Sequence, residues 1–141
     1  MITIRRQGDV VLYGFPRATA EQVTKGWEVA PRDSKSAGRM GETVLAHGEV
    51  TGHAHTVDAP MLTLKNEDRM CDALTKALKQ HGLAVDLRDV GQVAGVVFPA
   101  DGSAARHDEH APIPLDDQGL AWGVVRKREY VSETERRSVA D

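Results

Sequence analysis

Short runs of apolar or alternating residues, broken every few positions by glycine, proline or aspartate, constrain this chain most. "ITIRR", "DVVLYGF", "GWEVAP", "ETVLAHGEV", "HAHTV", "MLTLK", "VAGVVFP" and "AWGVVRKREYV" read as strands, and several carry the period of two that places one face on a core. Their β-branched content points the same way. The pattern predicts a mainly β protein, a small β-barrel or sandwich.

One stretch departs from that pattern. In "NEDRMCDALTKALKQHG", Asn66 is a fitting N-cap, Glu67 and Asp68 stand in the first turn where the helix dipole favours negative charge, and Gly82 supplies a stop. Met70, Leu74, Ala77 and Leu78 recur on one face. The spacing predicts one amphipathic helix over about 67–81, inserted into a single β-rich domain spanning 1–131 and packed on its sheet. His81, at the helix end, is read as structural, as is His47. Residues 31–41, "PRDSKSAGRMG", lack periodicity and read as a mobile surface loop. The tail 132–141 has mixed charge and no apolar stripe.

A chain of 141 residues buries enough surface to fold without a disulfide or a structural metal. The single cysteine, Cys71, allows no internal disulfide and no thiolate zinc cluster, so a metal here must be bound by His, Asp or Glu. A net charge of −3 and 4% aromatic content argue against broad nucleic-acid binding. No apolar run approaches the length of a membrane span or a signal peptide, and the expectation is a cytoplasmic protein.

The chemistry-bearing residues are histidines. In a strand, residues i and i+2 share a face about 6.5 Å apart, so His53 and His55 of "EVTGHAHTVDAP" can converge on one ion. "RHDEHAP" supplies His107, Asp108, Glu109 and His110 before two prolines that stiffen the exit. A histidine pair on one strand joined by a later histidine is how cupin-type barrels build a facial metal site, although the glycine and glutamate spacings of a cupin are not met. The candidate metal ligands are His53, His55, His107 and His110, with Glu109 as an alternative ligand or a support behind them. The ion fitting such donors is a divalent transition metal such as zinc. Without metal the same groups can exchange protons near neutral pH.

Complete catalytic signatures are missing. The second half of a two-histidine phosphoesterase pattern, the Cys-x-x-Cys of a zinc deaminase, a phosphate-cradling glycine loop and a nucleophile elbow are all absent. The balance tips towards a binding role; were the chain catalytic, metal-dependent hydrolysis is the class to expect.

In order along the chain, "RQGDVVL", "LAHGEVTGHAH", "HDEHAPIPL" and "GVVRKREY" resemble a group of small uncharacterised proteins of phage and bacterial genomes. That resemblance implies importance for His53, His55, His107, Glu109 and His110, and for Arg128, Glu129 and Tyr130 after them. It carries no activity. Partners consistent with such a protein are a second copy of itself or a host protein, which leaves open a structural, self-assembling module in which the histidines only organise loops.

In "VVRKREYV", alternation puts Val124, Arg126, Arg128 and Tyr130 on one face. Two readings stand side by side: a charged edge strand that deters sheet-to-sheet association, or an anion-binding pair formed by Arg126 and Arg128.

Overall fold

The structure, a computed structural model, describes residues 2–33, 42–47, 54–107 and 109–127. In chain order its elements are β1 (Thr3–Gln7), β2 (Val10–Pro16), α1 (Arg17–Val23), β3 (Glu28–Val29), β4 (Arg32–Asp33), β5 (Glu42–His47), β6 (Ala54–Val57) and β7 (Met61–Thr63). These are followed by α2 (Glu67–Gln80), α3 (Leu87–Val90), β8 (Gly91–Val97), β9 (Ala104–His107), β10 (His110–Pro114) and β11 (Leu120–Lys127). The protein is mainly β, as the sequence predicts.

The strands form two antiparallel sheets, ordered β1-β2-β11-β8-β7-β3 and β10-β9-β6-β5-β4, and neither closes on itself among the described residues. Two apolar clusters hold them. Val10, Leu12, Trp122 and Val124 of the first sheet meet Leu45, Val57 and Ala105 of the second. On the other face of the first sheet, Val11, Phe15, Val93 and Val125 pack against Met70, Leu74 and Leu78 of α2 and Leu87 of α3. The first sheet is therefore covered on both faces, which is why "VVLYGF" reads as a continuous apolar run rather than an alternating one. Trp122 is fully buried, and its indole N–H donates to the Leu115 carbonyl oxygen at 2.8 Å.

Helix α2 forms as its sequence predicts. The Asn66 side chain accepts a hydrogen bond from the Arg69 N–H at 3.2 Å, and Met70, Cys71, Leu74, Ala77 and Leu78 are buried. At its end Gly82 turns to a φ of 96°, with the Gly82 N–H donating to Lys79 and the Leu83 N–H to Leu78. That pair of bonds is a Schellman stop, which satisfies carbonyls a straight helix end would leave bare. His81 Nε2 lies 2.8 Å from Thr19 Oγ1 and ties α2 to α1, a structural role. Asn66→Ala is expected to cost about 1 kcal/mol, read from the urea midpoint. An unchanged midpoint would mean the cap contributes nothing.

Three expectations need correction. The chain carries two further short helices: α1, which starts without a side-chain cap, and α3, capped by Asp86. The start of the expected 31–41 loop is strand, because Arg32 and Asp33 pair with Thr43 and Glu42; residues 34–41 lie outside the described residues. Most consequentially, β11 is no edge strand. It is paired on one side with β2 and on the other with β8. No described helix is long and apolar enough to cross a membrane.

Candidate functional site

Strand register brings the histidine segments together. Thr56 pairs with Arg106 and Val57 with Ala105, and the same antiparallel count sets His55 opposite His107. His107 in turn pairs with His110 across the β9–β10 hairpin. Val57 and Ala105 face the core between the sheets, so His55 and His107, two residues along each strand, point the same way. The ring centroids are 4.2 Å apart for His55–His107, 4.8 Å for His107–His110 and 6.0 Å for His55–His110. His53 and Arg128 lie outside the described residues.

The turn between β1 and β2 completes the site. Gln7 is 2% exposed, and its Nε2 donates to two backbone carbonyls of the second sheet, Ala105 at 3.0 Å and Ala111 at 2.9 Å. Those two acceptors fix the amide, because the opposite orientation would set an oxygen against both. Its Oε1 is then an acceptor, 3.0 Å from His55 Nδ1. A neutral His55 therefore carries its proton on Nδ1 and leaves the lone pair of Nε2 bare. That lone pair faces Asp9 Oδ1 at 3.2 Å.

Gly8 lies between these two residues with a φ of 58°. A β-carbon there would stand 2.8 Å from His110 Nε2 and 3.4 Å from His55 Cε1, so the glycine both permits the turn and lets two imidazoles close over the backbone. Burial, together with the neighbouring His107 and His110, outweighs the pull of Asp9 and lowers the His55 pKa to about 4. The ring is neutral at pH 7.

His107 has the opposite tautomer. The backbone N–H of Glu109 donates to His107 Nδ1 at 3.0 Å, so a neutral His107 carries its proton on Nε2. Glu109 thus acts on the histidine through its main chain, a contact its acidic side chain does not foretell. Among the described residues no group of three or more His, Cys, Asp or Glu side chains is arranged to hold a metal ion. His55 Nε2 and Asp9 Oδ1 form a facing pair.

Of the expected site residues, the structure gathers His55, His107 and His110, with Glu109 at the hairpin turn beside them. Gln7 and Asp9 are the participants that residue type alone did not single out. Their signal lies in "RQGDVVL", which the sequence reading takes only as the start of a strand and as part of a resemblance.

The sequence profile of a domain of unknown function, DUF8820, matches residues 6–127. The chain belongs to the DUF8820 family. The matched span runs from the residue before Gln7 to the end of β11 and so contains every group of the site described above. No curated protein and no solved structure gives a match.

Proposed function

We propose that this DUF8820 protein binds a divalent transition metal, zinc being the best fit, at the junction of the β1–β2 turn with β6 and the β9–β10 hairpin. His55 Nε2 and Asp9 Oδ1 are the two ligands at its centre, and His110, whose Nε2 lies over Gly8, closes on the ion as the third. The observation that carries this reading is the facing pair. A buried imidazole locked with its proton on the far nitrogen directs a lone pair at a carboxylate oxygen 3.2 Å away. Two electron-rich atoms in that arrangement repel unless something positive lies between them. Ligands about 2.1 Å from one tetrahedral ion stand roughly 3.4 Å apart, so the separation suits a shared cation.

The Gln7 contact supports the same reading. Metal-binding histidines generally donate their other ring N–H to a neighbouring acceptor, which fixes the tautomer. The packing of two open sheets into a sandwich belongs to this proposal, since it gives the ligands their two walls.

Untagged protein is expected to retain about one zinc per chain after dialysis against metal-free buffer, measured by elemental analysis, while His55→Ala retains almost none. Equal, sub-stoichiometric metal in both would sink the reading. Folding of the variant, checked by circular dichroism, separates loss of a ligand from loss of the protein.

A further inference from the structure

We infer that Arg126 anchors a small oxyanion, a carboxylate or a phosphate, beside the histidine row. A run of basic residues on an edge strand needs no ligand to explain it, but β11 lies inside its sheet, where a charge facing the core demands a partner.

Alternation settles the direction. Trp122 and Val124 belong to the core between the sheets, so Arg126 projects from the same face of the strand. Across the first sheet Gln7 pairs with Val10, Val10 with Arg126 and Arg126 with Gln92, which makes one transverse row. The second sheet's transverse row holds His110, His107, His55 and, on β5, Ala46. Gln7 bonds His55 across the gap, and β11 packs against β5. Arg126 therefore stands two strands from Gln7, roughly 10 Å along the row, a gap its long side chain and a small bridging ligand together can span.

The side chain gives the second observation. Arg126 Nε is buried and has no hydrogen-bond partner among the described residues. A guanidinium is always charged, and leaving a buried N–H of a charged group unmet is costly. Nε and one Nη form a fork whose spacing matches two oxygens of a carboxylate or phosphate. An oxyanion seated there satisfies Nε and presents its remaining oxygens to the histidine row. Asp9 opposes an anion in the metal-free protein. That opposition is relieved when a cation is held, so tighter binding in the metal-loaded state rests on the proposed function, whereas the Arg126 contact does not.

The test uses the full chain after chelator treatment. Arginine Nε–H resonances are followed by two-dimensional NMR during separate titrations with inorganic phosphate and with acetate, Arg126 being assigned by its disappearance in Arg126→Lys. A saturable shift of the Arg126 Nε–H with one anion identifies the ligand chemistry. Binding at least about tenfold weaker in Arg126→Lys, at unchanged thermal midpoint, supports the assignment. No saturable shift with either anion at millimolar concentration, or equal affinity in the lysine variant, overturns it. The wild-type titration needs no variant to fold, and zinc analysis of untreated protein from the same preparations reports separately on the metal reading.

Discussion

Gln7→Leu is expected to lose about 3 kcal/mol of stability and to weaken zinc binding by roughly 10- to 100-fold. Leucine matches the amide in bulk but offers neither a donor nor an acceptor. Its introduction leaves three groups without their partner: the His55 Nδ1–H and the carbonyl oxygens of Ala105 and Ala111. Each buried orphan costs about 1–3 kcal/mol, and the total falls short of three full penalties because Ala111 is exposed and water can reach its carbonyl. The metal effect has a separate origin, since a His55 freed from Gln7 can move its proton to Nε2 and lose its directed lone pair. Urea midpoints measure the first effect and competition with a chromophoric chelator the second. A leucine variant with wild-type values for both would remove Gln7 from the site.

Gln7→Glu separates the two contributions. A carboxylate can still accept from His55 Nδ1, which keeps the tautomer, but it repels the two carbonyls that the amide N–H groups now satisfy. Stability should fall while the lone pair on Nε2 stays available.

The second large effect is on pH. Burial, with His107 and His110 alongside, lowers the His55 pKa from 6.5 to about 4. Above pH 6.5 the ring is neutral in both folded and unfolded chains and contributes no slope. As the pH falls through 6.5 the unfolded chain takes up a proton that the folded chain refuses, so the unfolding free energy declines. The decline ends near pH 4, where the folded ring also protonates. Across that window the metal-free protein should lose about 3 kcal/mol through this one group. Carboxylates titrate over part of the same range, so the readout is the wild-type profile minus that of His55→Gln, measured in chelator. A difference that stays flat between pH 6.5 and 4 would show that the buried ring is protonated as easily as a free one.

Local signals were legible where the local chain decides the outcome. Helix α2 is an example: cap, first-turn acids, apolar face and glycine stop lie within 17 residues, and each forms the contact expected of it. The meeting of His55 with His107 and His110 was legible as a condition, because two same-face segments on neighbouring strands must place their rings together. Strand order was not legible. Whether "GVVRK" edges a sheet or crosses its middle depends on β2 and β8, one distant in sequence and neither marked by charge. Strands β9 and β10 were missed because "AARH" and "HAPIP" lack apolar alternation. Helix α1 begins after Pro16 with no side-chain cap to announce it. The parts played by Gln7 and Asp9 depend on contacts spanning nearly 50 residues or more, which a motif scan cannot weigh.

The bonds of Gln7 have a mechanical consequence. This one side chain grows from the first sheet and grips two carbonyls and an imidazole of the second, so the site is also a rivet between the two halves of the protein. Whatever grasps His55 and Asp9 together holds a strand of the second sheet and the β1–β2 turn of the first. Occupancy is then felt as cohesion, since a ligand that requires both halves in place adds its binding free energy to the work of prising them apart.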